Sequence, residues 1–471
     1  MGKLNRGKRA CAVFALCATA AIVLPAQTFA TIHTFVGTDG ANPYAALIQA
    51  ANGEAYGTTE NGGANGSGTV FKITPTGTLA TLYSFCSQSG CTDGAYPLAA
   101  LVQAPNGYFY GTTVEGGTSG LGTVFQITPS ALTTLHSFNG ADGQTPWAGL
   151  AQGSDGNFYG TTANGGSGNN GGTVFKITPS GTLTTLYTFC AETSCADGQH
   201  PEAGLVQAAN EDFYGTTSEG GANNGGTVFE ITSTGTLTTL YSFCAQSGCA
   251  DGKLPNAGLV WAADGDFYGT TMTGGANGAG TVFKITPSGT LTTLYYFCSQ
   301  TGCADGASPD ATLVQATDGN FYGTTAAGGA TGGGGVFEIT PSGSVTALHS
   351  FAGPNAVHQA GLVQGTSGGF FGATWDGGVY NYGTLYGLSV GLLPFVKLLP
   401  PSGPVGTPVR ILGSDLTGTT SVSFDGTAAV FAVVSGSEIT TTVPAGASSG
   451  EVLVTTPGGM LSSNVIFRML P

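Results

Sequence analysis

Six Asp-Gly pairs stand at matching places in the chain. They begin at Asp39, Asp93, Asp142, Asp197, Asp251 and Asp305, and each Gly is followed three residues later by Pro. Carboxylates gathered on one face can hold calcium, which takes oxygen ligands, or accept hydrogen bonds from sugar hydroxyls. An Asp-Gly pair equally favours a turn in which the Asp bonds its own backbone. A residue kept in every copy fits that per-copy structural role. Beside the pairs, Tyr96, Trp147, His200 and Lys253 each occur once in loops that otherwise repeat. An exposed aromatic at such a place can stack on a sugar ring. These ten residues form the candidate ligand-binding set, with a glycan or a protein as the ligand.

Other chemistry is sparse. His33, His136 and His349 stand where other copies carry Tyr83, Tyr187, Tyr241 and Tyr295, which reads as a packing position. His200 and His358 fall in loops. No Ser sits in a nucleophile elbow, and there is no HExxH or phosphate-binding loop. No catalytic residue, metal ligand or cofactor is assigned; calcium is the one ion the acid pattern could serve.

Eight cysteines outside the N-terminal segment form four pairs at one spacing: Cys86/Cys91, Cys190/Cys195, Cys244/Cys249 and Cys298/Cys303. All lie in the loop between the fourth strand of one copy and the first of the next. Copies without a pair lack both cysteines and are about five residues shorter. We read the pairs as local disulfides of an oxidising compartment. The alternative is metal binding, but zinc wants four ligands close together and these loops hold no His–Cys cluster.

These residues are positioned by a repeat. Tyr-Gly-Thr-Thr recurs at Tyr56, Tyr110, Tyr159, Tyr214, Tyr268 and Tyr322, with a worn copy at Phe371–Thr374, at spacings of 49 to 55. A period near 50 marks a propeller or a solenoid. Each copy reads as four short strands. In the fifth they are Leu259–Ala262, Phe267–Thr271, Thr281–Thr286 and Leu291–Phe297. Asp264-Gly265 makes a hairpin turn, Gly274–Gly278 a glycine loop, and Pro287-Ser288-Gly289 a turn. A seventh fourth strand is missing after the last copy, but Ile32–Phe35 at the N-terminus matches it. The expected fold is therefore all-β: a seven-bladed β-propeller closed by the N-terminal strand, leaving no unpaired blade edge.

The unit FYGTTxxGGxxxxGTVFKITPSGTLTTLYSF…DGxxPxAGLVQAxDGN resembles the GloVer (Gloeo/Verruco) tandem repeat of exported bacterial proteins, over roughly residues 31–390. The resemblance implies a secreted or surface protein with varied C-terminal attachments and no established activity. Residues 391–471 differ in texture. Val409–Leu412, Ser421–Phe424, Ala429–Val434, Glu438–Val443 and Glu451–Thr455 alternate like strands. With Val443–Gly446 and Thr456–Gly459, the stretch is similar to an IPT/TIG domain, which implies an immunoglobulin-like β-sandwich used as a spacer or binding module.

Residues 1–30 read as a signal peptide: Lys3, Arg6, Lys8 and Arg9, an apolar run over 10–24, then small residues ending at Ala30. Cleavage is expected after Ala30. Fifteen apolar residues are too few to span a bilayer, which takes about 20, and no later stretch approaches that length. The chain carries a net charge of −15, and removing the four basic leader residues leaves −19. That charge, with only 11 Lys+Arg in 471 residues, excludes a duplex nucleic-acid partner. Gly is 81 residues and charged residues are 8%, which excludes a charged disordered chain or a coiled coil. The expected function is an extracellular or cell-surface binding or adhesion protein that uses the propeller loop face. The alternatives are a structural surface or matrix protein, and a glycan hydrolase or lyase.

Overall fold

The computed structural model describes residues 27–128, 131–352 and 360–470. The basic and apolar parts of the expected leader, and His358, lie outside the described residues. Seven four-stranded antiparallel sheets succeed one another along the repeat. In the fifth unit, strand a is Val260–Trp261, b is Phe267–Thr271, c is Thr281–Ile285 and d is Leu291–Tyr296, in the spatial order a-b-c-d. Strand a is shorter than expected. The same two-residue strand a recurs in all seven units.

Burial explains the phrase that repeats. Strand b is covered on both faces, and all five of its residues are buried. Its central Gly269 has no room for a side chain: a Cβ there would lie 2.6 Å from Phe283 Cζ and 3.0 Å from Leu259 Cδ2. Strand c is buried except for Lys284, and strand d is half-buried with Thr292 exposed. Between sheets, Tyr and Phe of strand b interlock. Tyr56 packs on Phe109, Tyr159 on Phe213 and Tyr268 on Phe321, with ring centroids 3.9 to 4.3 Å apart.

The cysteine loops correct the expectation of strands and plain loops alone. Cys91, Cys195, Cys249 and Cys303 each close a single 3-10 turn, Ser89–Cys91, Thr193–Cys195, Ser247–Cys249 and Thr301–Cys303. The four hold left-handed backbone, φ 52° to 55°, and so do their partners Cys86, Cys190, Cys244 and Cys298. The reason is the short ring. Two cysteines five residues apart meet only if the chain between them curls back at once. The carbonyl of the second cysteine then accepts from a Gly amide of the b–c loop: Gly117 to Cys91, Gly221 to Cys195, Gly275 to Cys249 and Gly329 to Cys303, at 2.8 to 2.9 Å.

The last sheet is completed from the other end of the chain. Residues Thr28–Thr34 form its strand d, paired antiparallel with strand c, Thr384–Ser389. The strand thus begins upstream of the expected cleavage point. Each pair of consecutive sheets encloses one apolar cluster. Another joins the seventh sheet to the first, with Phe35, Ala373 and Leu385 against Leu47, Phe71 and Ile73. At this seam Ala55 stands where the other units have Phe, and a small apolar cavity lies beside it, lined by Ile32, Leu47, Ile73, Phe371 and Leu385.

A second set of links ties neighbours together. Strand a carries Gln in every unit but the fifth, and the Gln side chain accepts from a backbone amide of the preceding unit. Ala51 N donates to Gln103, Ser154 N to Gln207, Ala263 N to Gln315, Thr317 N to Gln364, and Thr366 N to Gln49, at 2.8 to 3.3 Å. The last of these joins the seventh unit to the first. Pro105 holds the matching place before Gln152 and has no N–H to give.

Residues 397–469 form a second unit. Its two four-stranded sheets face each other across Val409, Ile411, Ile439, Val422, Phe424, Val452 and Val454. This unit seats on the a–b turns of the repeat. Ser437 Oγ donates to Ala51 O at 3.1 Å, and Ser414 Oγ meets Thr366 Oγ1 at 3.1 Å. Arg468 lies 3.4 Å over the ring of Trp261, the residue that replaces Gln in the fifth unit.

Candidate functional site

Each Asp of the Asp-Gly pairs folds back on its own loop. Asp93 accepts from Tyr83 Oη at 2.7 Å, from Ser87 N and Oγ at 2.9 Å, and from Gln88 N at 3.2 Å. Asp305 makes the same set with Tyr295, Ser299 and Gln300. Asp197 and Asp251 repeat it with Tyr187 and Tyr241. In the two loops without cysteines, His takes the Tyr place. His33 Nε2 meets Asp39, and His136 Nε2 meets Asp142, both at 2.9 Å. Asp93, Asp197, Asp251 and Asp305 are 0 to 2% exposed. Burial alone would raise the carboxyl pKa of Asp93 and Asp305, but the Tyr, Ser and Gln donors outweigh it and hold both below the usual range. The loops are therefore cross-braced by these carboxylates, and the six do not converge. Among the described residues, no group of three His, Cys, Asp or Glu side chains is arranged to hold a metal ion.

The cysteines belong to the same bracing. Cys86 is bonded to Cys91, Cys190 to Cys195, Cys244 to Cys249 and Cys298 to Cys303. Each disulfide lies in the loop whose Asp it flanks. These eight residues staple their loops.

The four singular loop residues fall at three different places. Tyr96 and His200 immediately precede Pro, with Asn42, Thr145, Leu254 and Ser308 as their counterparts. All six hold the left-handed backbone, φ 51° to 58°, which costs a non-glycine residue about 1 kcal/mol or more. Their amides latch onto the preceding unit, as Tyr96 N does to Ser67 O and His200 N to Gly171 O, both within 2.9 Å. The His200 ring is likewise engaged, 2.9 Å from Ala163 O. Lys253 lies one residue earlier, in a backbone bridge to Thr273. Trp147 lies one residue after Pro and is 39% exposed.

The place after Pro varies as fully as the place before it. Its residues are Tyr44, Leu98, Trp147, Glu202, Asn256 and Asp310, different in all six units. Each sits between a Pro of fixed φ and a small residue, usually a buried Ala. In four units the carbonyl of that Ala accepts from a Thr hydroxyl of the preceding unit: Thr58 to Ala99, Thr112 to Ala148, Thr161 to Ala203 and Thr216 to Ala257, at 3.0 to 3.1 Å. A rigid frame thus presents a changing side chain. The residues approach one another across units: burial, then the charges of Asp310, Glu202 and Glu60, push the Tyr44 phenol above its ordinary pKa. Burial also raises Glu202, opposed by His200 and reinforced by Glu219. Trp375 Nε1 donates to Glu60 at 2.7 Å beside them. The charges of Glu202 and Asp310, in the fourth and sixth units, thus act on Tyr44 of the first. Of the ten candidates, only Trp147 belongs to this variable set. Tyr44, Glu202 and Asp310 escaped sequence reasoning because singular residues were sought loop by loop, one in each of four loops, without aligning the loops on Pro. Aligning the units on Pro leaves two positions that never repeat, one on each side of it, and the second of them holds these residues.

The family model of the Gloeobacter/Verrucomicrobia repeat matches residues 19–196, 88–261 and 245–397. The IPT/TIG domain model matches residues 395–468. No curated protein matches the sequence. Among solved structures, the PQQ-bound form of aldose sugar dehydrogenase from Streptomyces coelicolor is 13% identical with a TM-score of 0.40, over 77% of this chain and 98% of that one. An auxiliary nutrient binding protein from Bacteroides thetaiotaomicron is 12% identical with a TM-score of 0.42, over 77% and 76%. Among the described residues no helix is long and apolar enough to cross a membrane.

Proposed function

The chain belongs to the Gloeobacter/Verrucomicrobia repeat family and carries a C-terminal IPT/TIG domain, and on that premise we propose that it is an exported glycan-binding protein. Its seven sheets close into a β-propeller, and the post-proline residues ring the mouth on the d–a loop face. Closure is supported by the N-terminal strand in the last sheet, by the cluster joining sheets seven and one, and by the Thr366–Gln49 bond. Export is supported by the basic and apolar leader sequence and by four disulfides.

One observation carries the binding assignment. In a repeat copied almost letter for letter, the positions on both sides of Pro differ in each of six units, and after Pro the charges of Glu202 and Asp310 act on Tyr44 of another unit. A rigid scaffold with variable loop positions is how repeat folds carry recognition. An exposed Trp in one loop and carboxylates at the same place in two others suit a sugar ring and its hydroxyls. The net charge of −15 disfavours an anionic polysaccharide and leaves neutral or cationic glycans.

The test is a thermal-shift screen of the full mature protein against neutral oligosaccharides derived from glucans, xylans and mannans, with calcium and EDTA as separate arms. A ligand that binds only the folded state raises the midpoint by mass action. A saturable rise with one oligosaccharide class is expected. A flat response to every saccharide, with binding found only to a protein partner, would overturn the glycan assignment. Turnover of the bound oligosaccharide would move the protein to the hydrolase or lyase class.

A further inference from the structure

Resting on the proposal that the chain is exported, we infer that its leader is cut at the Ala26–Gln27 bond, four residues before the Ala30 site that small-residue spacing suggests. The argument comes from what Thr28, Phe29 and Ala30 do in the fold. Strand d of the last sheet starts at Thr28, with the pairs Thr28/Ser389, Phe29/Leu388 and Ala30/Gly387. The ladder then slips between Thr31 and His33. The first unit slips at the same place, from Thr81 to Tyr83. That register lays Thr28–Phe35, TFATIHTF, on Thr78–Phe85, TLATLYSF. Thr28–Ala30 are thus the first half of a repeat strand.

Phe29 occupies the place of the repeat's Leu79. Its ring stacks on His349 at 3.7 Å and lies 5.0 Å from Tyr386 and 5.8 Å from Phe351. It therefore bridges the sixth and seventh units. The Gln27 side chain donates to Leu348 O, in strand d of the neighbouring sixth sheet. A cut after Ala30 would remove three of the seven strand residues and uncover Tyr386, which is 0% exposed in the intact fold.

Ala26 supplies the small residue that a leader peptidase takes before its cut. In that hydrolysis the Ala26–Gln27 C–N bond breaks. Water gives its OH to the new Ala26 carboxyl and its H to the new Gln27 amine.

The experiment expresses the full chain, leader included, in a secreting bacterial host and reads the N-terminus of the exported protein by intact mass and sequencing. A start at Gln27, free or cyclised to pyroglutamyl, is expected. An exported protein that starts at Thr31, or that keeps Met1, would overturn the inference and leave the export reading standing. A chain found only inside the cell with its leader intact would overturn the export reading itself. A second measurement uses leaderless chains that start at Gln27 and at Thr31. The Gln27 chain should melt higher by a few degrees, and Phe29→Ala in it should remove most of that gain. Equal midpoints would mean that Thr28–Ala30 add nothing to the fold, and the inference would fall.

Discussion

Asp155 shows how much of this protein's acid chemistry is spent on its own turns. Burial would raise its pKa, but Lys176 at 2.7 Å, with Asn157 and Tyr159, brings it down to about 2. Asp93, Asp264 and Asp305 are lowered in the same direction by their own donors. A carboxyl whose folded pKa lies below its unfolded value adds stability that is complete above the unfolded value and lost as pH falls through the folded one. The melting midpoint should therefore hold steady from neutral pH to about 5 and fall between about 4 and 2. Calorimetry across that range checks it, and a midpoint still level at pH 2 would contradict it. Asp305→Ala should cost about 1–3 kcal/mol, because it leaves Tyr295 and two backbone amides without an acceptor. These residues were legible in the sequence as turn formers. Their repetition also made them look like a ligand ring, and geometry separates the two readings. A carboxylate that accepts four bonds from its own loop has little left for a ligand.

Strands b, c and d could be read from apolar alternation and from the Gly, Asn and Pro turns between them, because each depends on residues close in sequence. The disulfides were legible for the same reason, from one spacing kept four times. The 3-10 turns that end at Cys91, Cys195, Cys249 and Cys303 were not, since Ser-Gly-Cys, Thr-Ser-Cys and Thr-Gly-Cys read simply as loop. The links between units were hidden too. Gln103 reaches back to Ala51 and Thr58 forward to Ala99, spans of 52 and 41 residues. No local pattern encodes such a bond. The seam between the seventh and first sheets has a particular weakness. Six junctions stack Tyr or its counterpart on Phe, whereas Ala55 leaves this one without a ring and with a cavity beside Phe371 and Leu385. Ala55→Phe should restore the stack and stabilise the protein by about 1 kcal/mol, a rise of a few degrees in differential scanning calorimetry. A lowered midpoint would mean that the seam is already filled and that the substitution overpacks it.

Over the whole molecule, the sandwich and the repeat meet face to face, and the sequence hinted at this only through one odd residue, the Trp261 that stands in a row of Gln. Arg468 stacks on it. The C-terminal domain thereby covers the a–b turn side and leaves the d–a loop side open. Trp261→Gln or Arg468→Ala should release the sandwich. Small-angle scattering should then show a larger radius of gyration, and the connecting residues 390–396 should become sensitive to protease. Scattering identical to the wild type would show that this stack does not hold the two together. The open side carries the central claim, so the most direct measurement is a titration of the best neutral oligosaccharide into the wild-type protein and five variants. Trp147→Ala, Glu202→Gln and Asp310→Asn should each weaken binding about tenfold or more. Tyr96→Ala and Lys253→Ala, two and three places before the variable position, should leave it unchanged within about twofold. Loss of affinity at Tyr96 and Lys253, with none at Trp147, Glu202 or Asp310, would contradict the account.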